Sequence, residues 1–253
     1  LNVPVKDRLK AISVAMERER WGNGENWLDL PKSARQVQVN LTDFSAKILD
    51  DDVVVFETRS VIGANDEKRR SPEFSDRMEH MVINPTWNVP RSITVEEYLP
   101  ELQLDPFALS ELTLINPEGE SVDRFNINFN DYTEENFPYD LKQKPSQRNA
   151  LGLVKFMFPN PHNIYLHDTP QKSLFSRDER AFSHGCIRLH QPFDFAYALL
   201  AKQTSTPKKT FQTALDLGEE NIIFLRQPVP VHIIYRTAVT GPDGRIGFRR
   251  DIY

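Results

Sequence analysis

Short runs of apolar residues alternating with polar ones recur along this 253-residue chain, and they constrain its fold more than any other feature. Val37, Val39 and Leu41 alternate with polar neighbours, and residues 53–56 form a continuous β-branched and aromatic run. A period of two places alternate side chains on one face of a strand, so these segments predict strands. Further strands are predicted at residues 61–63, 81–83, 153–158, 163–167, 221–225, 231–239 and 246–248. We expect a mainly β fold with helices, in the α+β class.

A different period marks the N-terminus. Residues 5–21 carry apolar groups at Val5, Leu9, Ile12 and Met16, a spacing that predicts an amphipathic helix. The segment after it contains glycine and asparagine and is expected to break the helix. We therefore expect an N-terminal helix and linker over residues 1–33.

Residues typical of helix N-termini predict three further helices. Thr94 and Glu97 form a capping box for a short helix that Pro100 is expected to stop. Pro192 and Pro207 are each expected to open a helix, because proline is tolerated in the first helical turn.

Residues 102–147 have a different composition from their surroundings. Asn, Asp, Glu and Pro dominate, and aromatic residues are scattered among them without a clear period. The aromatic residues are Phe125, Phe129, Tyr132, Phe137 and Tyr139. A long segment without regular elements is usually a functional lid or disordered. Because the aromatics favour order, we expect an inserted, loop-rich lid subdomain.

Charge and composition exclude several classes of function. The net charge is −5 with both signs interspersed, so a nucleic-acid partner is not expected. No run approaches the roughly 18 apolar residues of a membrane helix, so no membrane span is expected. The single cysteine excludes an intrachain disulfide and a multi-cysteine zinc site.

That single cysteine, Cys186, lies among four of the six histidines of the chain. A cysteine is only a few per cent thiolate near neutral pH, and an imidazole within reach can take its proton. His167 ends a predicted strand and could supply that imidazole. Gly185 leaves the backbone beside the nucleophile free of a Cβ, so N–H groups there can approach a substrate carbonyl. Ser183 and His184 could fix the turn by hydrogen bonding.

Other interpretations of the cluster stay open on residue chemistry alone. A lone cysteine near a histidine is often structural. A zinc site formed by His162, His167, His184 and Cys186 is also possible, although their spacing fits none of the usual zinc motifs. A cysteine enzyme is favoured by these residues but not established by them.

The order Ser183-His184-Gly185-Cys186, preceded by His167, resembles the signature of the L,D-transpeptidase (YkuD-type) catalytic domain. Further segments resemble the larger, lid-bearing branch of that family found in Gram-negative bacteria. They are residues 84–92, 149–152, 154–161, 166–170, 174–178 and 248–253. The resemblance implies a YkuD-like β-sandwich catalytic domain over residues 34–253, with the lid inserted at about 102–147.

The sequence departs from the family pattern at two places. Arg188 stands where many members have asparagine two residues after the catalytic cysteine. The stretch Lys144-Pro145-Ser146-Gln147 replaces a Gln-Pro-Pro-Gly-like one. The first change is known as a variant within the family, and the second puts the family's lid contacts in doubt for this chain.

The resemblance implies an enzyme of the cell envelope or periplasm that acts on peptidoglycan tetrapeptide stems without cofactor or metal. Cys186 would attack the diaminopimelate carbonyl, His167 would be the base, and the Asp168 carbonyl would orient the imidazole. The backbone N–H groups of Gly185 and Cys186, with His184, would bind the oxyanion.

The expected products and ligands follow from the same resemblance. Amine attack on the thioester would form a 3→3 cross-link, water would give L,D-carboxypeptidase activity, and a protein amine would anchor that protein to the wall. A non-catalytic wall-binding scaffold is the competing class. Carbapenem β-lactams are expected to acylate the cysteine. Candidate substrate-binding residues are Arg188, Asn149, Trp87 and Phe158, where Arg188 could hold a stem carboxylate.

Overall fold

The computed structural model describes residues 4–22, 35–241 and 243–253. Most of the predicted linker before residue 34 lies outside these ranges. The strands are β1 (Gln36–Asn40), β2 (Ser45–Asp50), β3 (Val53–Gly63), β4 (Phe74–Ile83), β5 (Trp87–Asn88), β6 (Leu112–Ile115), β7 (Ser121–Val122), β8 (Asp140–Gln143), β9 (Val154–Met157), β10 (Leu166–His167), β11 (Ala181–Ser183), β12 (Ile187–Leu189), β13 (Asn221–Ile234), β14 (Ala238–Thr240) and β15 (Ile246–Phe248). The predicted α+β class, with sheet predominating, is confirmed.

Nine strands form one main sheet in the order β11-β3-β12-β10-β9-β4-β13-β1-β2. The long strand β3 pairs with β2 through its first part and with β12 and β11 near its end, so the sheet closes on itself. Strands β10 and β12 are parallel neighbours, and β9 lies antiparallel on the other side of β10. These three strands carry the site described below.

The inner side of the main sheet holds the main hydrophobic core. Alternate side chains of the central strands point into it, including those of Phe156, Leu166 and Ile187, which are fully excluded from solvent. Helices α4 (Pro192–Leu200) and α5 (Pro207–Asp216) begin at the predicted prolines, and Phe195 and Phe211 join the same core. Because side chains alternate along a strand, the residues between these inward positions face the other side of the sheet.

A second packing unit, residues 87–151, lies in the chain between β4 and β9. Its four short strands form a separate sheet in the order β5-β8-β6-β7. It has its own core, which includes Leu99, Leu114, Phe129 and Phe137. The unit is wider than the predicted boundaries of 102–147 and contains more regular structure than a loop-rich segment. Its role as a lid stays a prediction.

The helix predicted at Thr94 differs from the expectation. It comprises α2 (Arg91–Ile93), a π-helical turn (Thr94–Tyr98) and α3 (Leu99–Leu104). Thr94 is therefore inside a helix, with its N–H bonded to the carbonyl of Pro90 at 3.0 Å, and is not an N-cap. Pro100 does not end the helix, because it lies in the first turn of α3, where the missing N–H is tolerated.

The N-terminal helix, α1 (Val5–Gly22), forms as predicted but buries a different face. Val5, Leu9 and Met16 of the predicted apolar stripe are about 60% exposed, while Ala15 is buried. Arg18 attaches the helix to the main domain by donating to the carbonyl of Tyr235 at 2.7 Å. No helix within the described ranges is long and apolar enough to cross a membrane.

Two predicted strands near the C-terminus are joined in the structure. Strand β13 runs through both, with a shift of register between Phe224 and Val229 against β4. The predicted continuation to residue 239 is interrupted after Ile234, and β14 then pairs with β15 as the predicted hairpin.

Candidate active site

The register of three neighbouring strands brings the candidate residues to one face of the main sheet. His167 on β10 lies opposite Arg188 on β12 and opposite Lys155 on β9. Leu166 and Ile187 point into the core, so the residues beside them point to the opposite face. Lys155, His167 and Arg188 therefore form one row across that face.

Cys186 lies in the adjacent row. The N–H of Ile187 donates to the carbonyl of Tyr165 at 3.0 Å, which places Cys186 next to Tyr165, just before β12 begins. With strands about 4.8 Å apart and a rise of about 3.3 Å per residue, the Cα atoms of Cys186 and His167 are about 8 Å apart. The half-buried thiol donates to the carbonyl of Asn163 at 3.6 Å.

His167 is held as a neutral imidazole. It is only 4% exposed, and its Nδ1 donates to the carbonyl of Asp168 at 2.5 Å, the contact that the resemblance implied. Burial, with a further contribution from the Arg188 charge, lowers the pKa of His167 to about 3, although the carbonyls of Asp168 and Leu151 oppose this. A proton on Nδ1 leaves Nε2 as the basic nitrogen.

Cys186 is held as a neutral thiol. Burial raises its pKa to about 11, and the N–H and hydroxyl groups of Tyr165 act in the opposite direction, as do the charges of Arg188 and Lys155. Both pKa shifts favour a neutral thiol and a neutral imidazole over a preformed thiolate–imidazolium pair. Tyr165 was missed by sequence reasoning, although its position two residues before His167 puts it on the same face of the strand.

The turn at residues 183–186, which we call the cysteine turn, is closed by one hydroxyl group. Ser183 Oγ donates to the carbonyl of Cys186 at 2.5 Å and accepts the N–H of Gly185 at 3.1 Å. Gly185 has φ +108°, a conformation that favours glycine, and an added Cβ would lie 2.9 Å from the flexible end of the Ile164 side chain.

The expected oxyanion donors differ in what they already bind. The N–H of Gly185 is bonded to Ser183 Oγ, and its role as an oxyanion donor stays a prediction. In the described part of the chain, the N–H groups of His184 and Cys186 have no backbone or side-chain acceptor. They are the donors left for a developing oxyanion.

A second layer of contacts supports the cysteine turn from behind. Ser71 Oγ donates to the carbonyl of Gly185 at 2.6 Å and accepts the N–H of Gly63 at 3.0 Å. The Tyr253 hydroxyl donates to the carbonyl of Gly63 at 2.8 Å and accepts the N–H of Ser71 at 3.2 Å. Neither Ser71 nor Tyr253 was predicted, because their contacts join distant parts of the sequence.

The side chain of His184 links the cysteine turn to the second unit. Its Nε2 lies 2.6 Å from Glu97 Oε1, in the π-helical turn, and Arg69 binds the same oxygen at 2.8 Å. This cluster is partly exposed, so it contributes more to positioning than to stability.

Asn149 is completely buried, and its amide group is fully used. Its nitrogen donates to the carbonyls of Pro85, Gln143 and Lys144 at 3.0–3.2 Å. Its oxygen accepts the N–H of Leu151 at 2.8 Å. The carbonyl of Leu151 in turn raises the pKa of His167. The Asn149 amide is therefore hydrogen-bonded within the fold, and its role in substrate binding stays a prediction.

The remaining candidates are distributed between the site and the two cores. Arg188 belongs to the site: it donates to Gln171 Oε1 at 2.5 Å, while its buried Nε has no acceptor among the described residues. Trp87 packs in the second core against Tyr98, with ring centroids 6.3 Å apart. Phe158 is buried in the main core, against which Cys186 also packs, and its place in the cleft stays a prediction.

The four residues of the possible zinc site do not converge. His162 packs against Phe74, with ring centroids 5.1 Å apart, and His184 is paired with Glu97. Across the described residues, no group of three or more His, Cys, Asp or Glu side chains is placed to hold a metal ion.

Comparison with known proteins gives a family match and a related protein. A family model described as the L,D-transpeptidase catalytic domain, YkuD, matches residues 34–211, more than half of the chain. A Haemophilus influenzae protein, provisionally named an L,D-transpeptidase, is 30% identical over 233 residues. That match covers 91% of this chain but only 46% of the relative, so the chain spans about half the length of that protein.

Solved structures are more distant. An L,D-transpeptidase from Mycobacterium smegmatis is 12% identical, with a TM-score of 0.35, and the match covers 79% of this chain and 58% of the other. L,D-transpeptidase 3 from Mycobacterium tuberculosis, carrying a faropenem-derived adduct, is 13% identical, with a TM-score of 0.34 and coverages of 79% and 60%.

Proposed function

Because this chain belongs to the family of L,D-transpeptidase catalytic domains, we propose that it is a cysteine-dependent transpeptidase that acts on peptidoglycan tetrapeptide stems. The observation that carries the proposal is the pairing of β10 with β12. It puts the only thiol of the chain and a buried neutral imidazole on the same face of adjacent parallel strands. A scaffold without activity would not require this arrangement.

The first half of the reaction forms a thioester. The Cys186 thiol leaves the Asn163 carbonyl, gives its proton to His167 Nε2, and its sulfur attacks the carbonyl carbon of the third stem residue, diaminopimelate. The N–H groups of Cys186 and His184 bind the resulting oxyanion; one such donor typically lowers a barrier by about 2.7–4 kcal/mol. The tetrahedral intermediate collapses, the C–N bond breaks, and His167 protonates the departing D-Ala nitrogen.

The second half regenerates the enzyme. A side-chain amine of another stem loses a proton to His167 and attacks the thioester carbonyl. The C–S bond then breaks, and the thiolate recovers the proton from the imidazolium. One amide bond is exchanged for another, so the reaction needs no external energy source. The product is a 3→3 cross-link.

We prefer the neutral pair to a preformed ion pair as the starting state. Burial acts on both groups in the direction that removes charge: it raises the pKa of Cys186 and lowers that of His167. The proton therefore moves as the sulfur attacks. In the transition state, the charge of Arg188 stabilises the developing anion at the sulfur.

Mass spectrometry with a disaccharide-tetrapeptide tests this proposal. Wild-type protein should gain the mass of the donor less D-Ala, and Cys186→Ala should gain nothing while keeping the same circular dichroism spectrum. Because Cys186 is the only cysteine, reversible blocking with a methanethiosulfonate provides a matched chemical control on the wild-type chain. An adduct on Cys186→Ala, or none on the unblocked protein, would refute the assignment.

Product analysis in the same reaction separates the possible acceptors. Cross-linked dimers identify a stem amine, free tripeptide stems identify water, and a protein–peptidoglycan conjugate identifies an anchoring reaction. We place the enzyme in the cell envelope, where its substrate is, and expect carbapenems to acylate Cys186. A carbapenem adduct of the expected mass would be stable enough to detect on the intact protein.

A further inference from the structure

Lys155 lies on the active-site face without a partner for its charge. It is opposite His167 in the ladder between β9 and β10, and it is only half-exposed. Within the described ranges, its ammonium group has no hydrogen-bond acceptor and no carboxylate within ion-pair distance. By contrast, nearby Lys172 is bound to Asp168 at 2.6 Å.

An ammonium group in this position is costly without an anion. Burial lowers the pKa of Lys155, and the only carboxylate that opposes this, Glu220, already accepts the N–H of Thr86 at 2.5 Å. Partly buried charges are normally paired or hydrogen-bonded. A lysine that has neither, in the same row as the catalytic histidine, indicates a site for an anionic group of the ligand.

The chemistry at His167 identifies which anionic group can reach it. This step rests on the proposed function. The departing nitrogen receives its proton from the imidazole, and the carboxylate of a departing C-terminal residue is attached to the carbon next to that nitrogen. That carboxylate must therefore lie beside His167 during bond cleavage. The flanking cations are Lys155 and Arg188. The Arg188 guanidinium is held by Gln171 and its unpaired Nε is buried, whereas the Lys155 ammonium is partly exposed and has no partner among the described residues.

We propose that Lys155 binds the terminal carboxylate of the leaving D-amino acid and thereby restricts donors to stems that end one residue after the scissile bond. A stem with one more residue would carry its carboxylate about 3.5 Å farther along the chain and would present a neutral amide at Lys155. Binding of the carboxylate also supplies the anion that the half-buried ammonium lacks.

A pair of synthetic donors tests this assignment. One is the tetrapeptide stem ending in free D-Ala, and the other is the same stem ending in D-alaninamide. Rates of D-Ala or D-alaninamide release are measured for wild type, Lys155→Met, Lys155→Arg and Lys209→Met. Lys209 is an exposed lysine on α5 and serves as the matched control.

We expect wild type to prefer the acid over the amide in kcat/KM, and Lys209→Met to keep that preference. A charged hydrogen bond of this kind corresponds to roughly 10- to 100-fold. Lys155→Met should lose that factor in kcat/KM for the acid donor and much less for the amide donor. The ratio of the two kcat/KM values therefore falls towards one. Lys155→Arg should restore most of the ratio.

The possible failures are distinguishable. If wild type forms no acyl-enzyme with the free acid, the proposed function itself is wrong. If wild type cleaves both donors equally, or Lys155→Met keeps the preference, only the role of Lys155 is wrong. An equal loss of kcat/KM on both donors would also overturn the inference. It would mean that the lysine acts on the sulfur or on the stability of the fold and does not bind the carboxylate.

Discussion

The hydroxyl oxygen of Ser183 lies 2.5 Å from the carbonyl oxygen of Cys186, and the same hydroxyl accepts the N–H of Gly185 at 3.1 Å. One side chain thus joins the N–H before Cys186 to the carbonyl of Cys186 and closes the cysteine turn. Because Ser183 is only 2% exposed, water cannot easily replace it in these contacts. The turn is held before any substrate arrives, and the N–H groups of His184 and Cys186 remain available.

Ser183→Ala should therefore affect both stability and reactivity. Loss of the hydroxyl leaves a buried carbonyl and a buried N–H unsatisfied, which we expect to cost about 1–3 kcal/mol in the free energy of unfolding. Acylation should slow at least tenfold, because the oxyanion donors lose their fixed positions. Urea unfolding and carbapenem acylation rates measure the two effects. Ser173→Ala, at an exposed serine, is the control and should change neither; matching values for the two variants would contradict the role of Ser183.

The raised pKa of Cys186 predicts an unusual pH dependence of alkylation. With a pKa of about 11, the thiolate fraction rises about tenfold per pH unit between pH 7 and 9. The rate of iodoacetamide modification, followed by mass spectrometry, should increase accordingly without a plateau in that range. Tyr165→Phe removes a donor that favours the thiolate and should lower the rate at every pH. A plateau near neutral pH would instead indicate a preformed thiolate–imidazolium pair.

The candidate catalytic residues could be proposed from the sequence because they lie in two short segments of it. Cys186, His167 and the cysteine turn occupy two short segments whose residue types define their chemistry. The Asp168 carbonyl was also expected beside the imidazole, and the structure places it there. The supporting groups could not be found this way. Ser71 and Glu97 contact the turn across 114 and 87 residues of separation, and Tyr253 contacts Ser71 across 182, so no local pattern indicates them.

The periodicity of apolar residues predicted the strands more reliably than it predicted the buried faces of the helices. The alternation at Val37 and Val39 identified β1 and its inward face correctly. In α1, the apolar stripe at Val5, Leu9 and Met16 stays exposed, because the helix is attached through Arg18. An ion pair or side-chain contact with a distant segment leaves no period in the sequence. The short strands of the second unit were missed because two to four residues are too few to show one.

Burial of neutral His167 predicts a loss of stability in mild acid. Its folded pKa, about 3, is below the unfolded value of about 6.5, so the unfolded chain binds a proton first as the pH falls. The contribution of neutral His167 to the free energy of unfolding is fully present above pH 6.5. It should fall by about 2 kcal/mol between pH 7 and pH 5. His167→Asn should reduce the slope of unfolding free energy against pH in this window, as measured by urea titration. His162→Asn, at an exposed histidine, is the control. The slope should not vanish, because burial also lowers the pKa of His232, to about 4.

Tyr253→Phe tests whether the contacts behind the cysteine turn contribute to catalysis. The substitution removes the hydroxyl that joins Ser71 to Gly63 and leaves the ring in place. We expect a loss of about 1–2 kcal/mol in unfolding free energy and a several-fold slower acylation, because Ser71 holds the carbonyl of Gly185. Tyr132→Phe is the matched control, since its hydroxyl contacts only that of Tyr139, at 3.5 Å, within the second unit.

A double-mutant cycle decides whether Tyr253 acts through Ser71. If the two residues form one chain to Gly185, Ser71→Ala should slow acylation at least as much as Tyr253→Phe, and the double variant should lose less than the sum of the two. Additive losses would mean that the tyrosine supports the site independently of the serine. A Tyr253→Phe variant that is destabilised but acylates at the wild-type rate would confine its role to folding. The rate of acylation at a pH and temperature where every variant is fully folded separates these outcomes.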